Sequence, residues 1–210
     1  MSQTPPPPPI ISVTHEQTTN EGPFYIKIIQ FRLEPNYGEA VRLLHLRLTQ
    51  FHYTSQFDKG FDQVCLAFMQ RLAGDTAGAK VSAEQARNTL EQLYGNQPDS
   101  PFLAAWLSQA YAAIGEKESA LNVAEHAIML LPSAKDAMNG PMFEENLALI
   151  QTMSGENSSA ISTLTRLLQT PYNSLLYVPP IMPALLRLDP LWDPLRSDPA
   201  FQKLCEKKQP

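Results

Sequence analysis

The sequence predicts an all-α fold, a solenoid of antiparallel helix pairs. Two observations carry the prediction. Between Asn36 and Leu131 only Pro98 and Pro101 interrupt a stretch rich in Ala, Leu, Gln and Glu, although the chain has 19 prolines in 210 residues. Proline costs about 3 kcal/mol in a helix interior, so a long proline-poor stretch of this composition reads as helical. The second is an internal repeat: Gly74-Asp75, Gly115-Glu116 and Gly155-Glu156 are each followed by an alanine five positions after the glycine, at Ala79, Ala120 and Ala160. A fixed period with small residues at matching places marks a solenoid.

In chain order, Pro5 to Pro9 form an unbroken run, and residues 1–21 lack a helical period. Five consecutive prolines make a short polyproline II rod without internal hydrogen bonds, read here as part of a flexible, solvated tail rather than a ligand for an aromatic groove. A degenerate first unit follows, with a short helix from near Phe24 and a second helix around Glu39–Leu44. Three fuller units come next. Eight positions before each repeat glycine stand Leu66, Leu107 and Leu147; after it align Ala83, Ala124 and Leu164, then Ala86, Ala127 and Leu167.

The middle unit shows the physics. Leu107 and Tyr111 share a helix face, and Gly115 supplies the left-handed residue that ends the helix. Glu116 places negative charge near the start of the next helix. Ala120, Ala124 and Ala127 form a narrow stripe that lets two helices approach closely, and Pro132 ends the pair. The surplus residues of each unit fall around Leu90–Pro101 and Ser133–Pro141, lengthening the second helix and the loops. Domain boundaries follow: a tail over 1–21, a repeat array over 22–170, and a capping segment over 171–210. The last holds Leu185, Leu186, Trp192, Leu195, Phe201 and Leu204, too much apolar bulk for a solvated linker. Its Asp-Pro pairs at 189, 193 and 198 each offer an N-cap with a first-turn proline.

Composition narrows the function. A net charge of −5 and a pI near 5.4 exclude phosphate-backbone binding as the main task, so no nucleic-acid partner is expected. No apolar run approaches the roughly 18 residues that span a bilayer, which excludes membrane insertion and predicts a cytoplasmic protein. Cys65 and Cys205 share no metal-ligand spacing.

Catalytic motifs fail one by one. Gly74 to Lys80 has the wrong spacing for a phosphate loop and coincides with a repeat turn. His45 and His52 could share a helix face but have no third ligand, so neither a metal nor a cofactor is expected. His126 reads as an exposed mid-helix residue, Glu144 and Glu145 as first-turn partners of a helix dipole, Cys65 as a small buried hydrophobe and Trp192 as core. No set of residues predicts an enzyme.

Leu107, Tyr111, Ala120, Ala127 and Pro132 resemble the tetratricopeptide pattern, in which large residues of a first helix face small residues of a second. The match is loose. Ala104 stands where the usual Trp belongs, Gln70 and Gln151 replace the Tyr in the other units, and the spacing of 40–41 exceeds the family's period. The stretch from Ala184 to Leu204 is similar to the C-terminal end of bacterial multidomain signalling proteins that carry such an array behind a kinase, nucleotide cyclase or winged-helix domain. The resemblance implies a right-handed superhelix and an interaction scaffold that binds a protein or peptide in a concave groove. The family's groove positions fall on Phe61, Val64, Phe68 and Arg71, then Phe102, Ala105 and Gln109, then Met142, Glu145 and Leu149. These lack the Lys and Asn that clamp a terminal carboxylate in the chaperone-tail readers of the family. Apolar side chains at this spacing either accept an amphipathic segment or are covered by the chain's own termini. Self-association of the array, and an enzyme or enzyme-modulating protein, for example of hydrolase type, with a non-standard site in the groove, are the alternatives.

Overall fold

The computed structural model describes residues 21–177 and 180–206, and the side chains from residue 22 onward. The proline run and the tail expected over 1–21 lie outside them, apart from Glu21, which begins the first helix.

Among the described residues the protein is all-helical, without a strand. Eight helices follow as pairs: α1 (Glu21–Leu33) with α2 (Tyr37–Gln50), α3 (Gln56–Leu72) with α4 (Thr76–Asn96), α5 (Pro101–Ile114) with α6 (Lys117–Leu130), and α7 (Gly140–Met153) with α8 (Asn157–Leu167). Each packs against the next, and α5 also packs on α3 and on α7, so the first helices of the last three pairs form one layer. Residues 168–177 return without regular structure. Short α9 (Pro183–Leu188), a 3-10 turn (Pro190–Leu195) and α10 (Pro199–Glu206) close the described chain.

The repeat glycines do what their spacing requires. Gly74, Gly115 and Gly155 have φ of +86°, +89° and +77°, a region where a side chain is strained. Around each, the same two hydrogen bonds end the helix. Glu116 N–H donates to Tyr111 O at 2.9 Å and Gly115 N–H to Ala112 O at 3.1 Å, and the turns at Gly74 and Gly155 repeat both bonds. This is the Schellman arrangement, which satisfies carbonyls that helix ends otherwise leave bare. Asn36 N–H closes the equivalent longer bond onto Phe31 O, so the first pair shares the register.

The alanine stripe is buried as expected: Ala120, Ala124 and Ala127 have no exposed surface, and neither do Ala83, Ala86, Ala160 and Leu164. The surplus residues lengthen α4 to 21 residues in one unit and form the 131–139 loop in the next. Two expectations are corrected. Pro194 lies inside the 3-10 turn and Asp193 pairs with Arg196, so the Asp-Pro at 193 starts no helix, whereas Asp189 and Asp198 do accept from Leu191 N–H and Ala200 N–H. His126 is half-buried, its Nδ1 2.5 Å from the Tyr94 hydroxyl rather than free in solvent.

One buried apolar cluster runs from Phe24 to Leu204, because the C-terminal segment joins it, and two smaller ones include Phe143 and Ile150. Trp192 and Leu195 have no exposed surface and Phe201 almost none. No described helix is long and apolar enough to cross a membrane.

Candidate functional site

On the layer of α3, α5 and α7, the predicted groove residues Phe61, Phe68, Gln109 and Leu149 line one face together with Cys65 and Trp106. Val64 on α3, Ala105 on α5, and Met142 and Glu145 on α7 share its helical spacing, whereas Phe102 and Arg71 line other hollows. Aromatic rings stitch the first two helices together, with Phe61 edge-on to Trp106 at 4.3 Å between centroids and Tyr25 of α1 edge-on to Phe61 at 4.7 Å. A polar ladder ties the next two. Gln109 Nε2 donates to Asn146 Oδ1 at 2.9 Å, Asn146 Nδ2 donates to Ser108 Oγ at 2.9 Å, and the Ser108 hydroxyl donates to Ala105 O at 2.6 Å.

The face is not an open groove. Val64, Phe68, Ala105, Gln109, Met142, Glu145 and Leu149 are all buried, and Phe61 is partly so; of the predicted set only Arg71 and Phe102 are exposed. The cover comes from the chain itself. Helix α1 contributes Tyr25, Ile28 and Arg32 from the N-terminal side, and Leu175, Leu176 and Tyr177 come from the returning segment. These sheets of side chains do not meet tightly. A cavity of about 200 Å³ remains between them, its far wall made by Phe61, Cys65, Trp106 and Leu149.

Two charged residues hold the cover in place. Glu145, with no exposed surface, receives the Ser174 hydroxyl at 2.8 and 2.9 Å on its two oxygens and the Leu175 N–H at 3.1 Å. The Ser174 oxygen in turn accepts the N–H groups of Leu176 and Tyr177. Burial pushes the Glu145 carboxyl up to about 7 despite these donors, which favour the ionised form. Glu145 is therefore a buried anchor, not the dipole partner its place near the start of α7 suggested. Arg32, on α1, forms a buried ion pair with Asp189 at 2.8 Å and donates to Leu176 O at 3.2 Å. Asp189 also accepts from Tyr177 OH at 2.8 Å, and Trp192 Nε1 donates to that same hydroxyl at 2.9 Å. The Arg32 Nε–H is buried without a hydrogen-bond partner.

A second buried cluster fixes the first pair to α3. Arg47 and Asp62, both without exposed surface, pair at 2.7 Å; Tyr25 OH donates to Asp62 Oδ1 at 2.7 Å and Tyr53 OH donates to its other oxygen. Burial raises the Asp62 carboxyl above its ordinary range. Sequence reasoning passed over Arg47, Asp62, Arg32 and Ser174, and read Asp189 only as a helix N-cap. One signal was available: Arg47 occupies the register of Ala86 and Ala127, and an arginine at a core position requires a buried partner.

Cys65 lines the cavity and burial pushes its thiol well up, opposing the thiolate that nucleophilic work requires. Among the described residues no group of three His, Cys, Asp or Glu is placed to hold a metal ion. No protein-family model matches the chain, and no curated protein matches it.

Proposed function

We propose that the chain is a protein-interaction module of tetratricopeptide type, acting in the cytoplasm, whose ligand face is occupied by its own residues 172–177 and is freed when a partner segment takes their place. The observation that carries this reading is the way the segment lies on the face. It is irregular in structure, buries Tyr172, Leu176 and Tyr177, and is held through a main-chain N–H on Glu145. An apolar peptide bound from outside would use the same contacts: side-chain burial for affinity and main-chain hydrogen bonds for register. The partner best suited to the face is accordingly a segment with two adjacent bulky apolar residues after a small hydroxyl residue, as in Ser174-Leu175-Leu176-Tyr177. The loose repeat pattern and its C-terminal extension support an adaptor role like that of the signalling proteins they resemble.

The test uses a labelled synthetic peptide of residues 170–180 and fluorescence anisotropy. The intact chain should bind it weakly, because the tethered copy competes at high effective concentration. Leu176→Asp should loosen the tethered copy and raise peptide affinity at least tenfold. A variant that stays folded by circular dichroism and still fails to bind removes the reading.

A further inference from the structure

We propose that the cavity between α1, the α3–α5–α7 face and residues 175–177 is a binding site for a small neutral molecule, mostly apolar, of about one ring in size and carrying a single hydrogen-bond acceptor such as a ketone, ester or lactone oxygen. Size sets the first limit. The cavity measures about 200 Å³, and apolar cavities of about 150 Å³ stay dry and take up benzene. The wall sets the second. Phe61 and Trp106, packed edge to face, and Ile28, Leu149 and Leu176 make the wall largely apolar, so an apolar ring gains dispersion contacts there.

The polar groups of the wall choose among apolar molecules. Arg32 lines the cavity, is 8% exposed, and keeps a buried Nε–H with no partner. Buried donors in folded proteins are almost always satisfied, so an unmatched one beside an apolar cavity marks where an acceptor belongs. The charge of Arg32 is already matched by Asp189. A carboxylate ligand would add a second negative charge beside that pair, and a cation brings no acceptor for an N–H donor. A neutral acceptor satisfies the donor without either cost. The site needs the cover closed, whereas partner uptake needs it open, so the inference does not rest on the exchange proposed above.

Acetophenone and ethylbenzene test it, being close in shape and differing by one carbonyl oxygen. With the full chain in isothermal titration calorimetry, acetophenone should bind once per chain and at least tenfold more tightly than ethylbenzene, and benzoate should not bind. Cys65 reports position. In a Cys205→Ser background, saturating acetophenone should slow the reaction of Cys65 with methyl methanethiosulfonate several-fold. Cys65→Leu, which fills part of the space, should weaken acetophenone binding at least tenfold; if that variant does not fold, the protection experiment decides alone. Equal binding of the two probes overturns the acceptor assignment. No binding at the solubility limit, or binding without protection of Cys65, overturns the site. None of these readouts requires residues 172–177 to leave the face.

Discussion

Glu145→Gln is the most informative single change. The carboxyl has no exposed surface and its pKa stands at about 7 against an ordinary 4.5. In the folded chain the proton is therefore held more tightly than in the unfolded chain. Between pH 4.5 and 7 the folded state binds more protons, so stability falls as pH rises through this window. The contribution is fully present below 4.5 and lost above 7. At about 1.4 kcal/mol for each pH unit of displacement, the wild type should lose about 3 kcal/mol between pH 4 and pH 8 from this residue. Glutamine keeps an acceptor for the Leu175 N–H, adds a donor for the Ser174 oxygen and cannot ionise, so the variant should lack this slope. Asp62, also raised by burial, tilts both proteins the same way and cancels in the difference. Urea unfolding followed by far-UV circular dichroism at pH 5, 6, 7 and 8 gives the comparison. The variant should gain on the wild type with each step and exceed it at pH 8. Parallel curves would mean that Glu145 is hydrated in solution, and the account of how residues 172–177 are held would fail with it.

Asp189→Ala leaves Arg32 buried without its counter-ion and should cost about 3–5 kcal/mol in the same melts. Ala120→Leu inserts bulk where Ala112, Ala124 and Ile150 meet and should cost about 1–3 kcal/mol, while Glu118→Gln on the exposed side should change stability by less than about 0.5 kcal/mol. Truncation after Thr170 removes Leu186, Trp192, Leu195 and Phe201, each almost wholly buried and each worth about 1.5–3 kcal/mol. The loss rivals the whole stability of a typical domain, about 5–15 kcal/mol. Size-exclusion chromatography should show an aggregated or expanded product, and a well-folded monomer would show that the C-terminal segment is dispensable to the fold.

The helix pairs were legible in the sequence because their determinants are local. A glycine that must take positive φ and an alanine that must sit where two backbones approach leave few substitutes, so both recur at Gly74, Gly115 and Gly155 and at Ala79, Ala120 and Ala160. The residues of the candidate site came from the family resemblance, whose groove positions fall on Val64, Phe68, Ala105 and Leu149. The sequence left open whether the chain's own termini cover them, and it did not show which residues do so. Residues 172–177 have no period of their own, and their placement depends on Arg32, 144 positions away from Leu176. Glu145 could have been read better, since Met142, Ala148 and Leu149 flank it at helical spacing and make it a carboxylate on an apolar stripe.

The contact between Arg32 and Leu176 has a consequence for synthesis on the ribosome. Each helix pair closes over a few tens of residues and can form as soon as it emerges. The lid over the α3–α5–α7 face cannot, because Glu145 awaits Ser174 and Arg32 awaits both Leu176 and Asp189. Until Ser174, Leu176 and Asp189 have been made, Phe61, Trp106 and Leu149 lack that part of their cover. Contacts so distant in sequence form late, so the nascent chain passes through a stage in which its apolar face is open to whatever binds first.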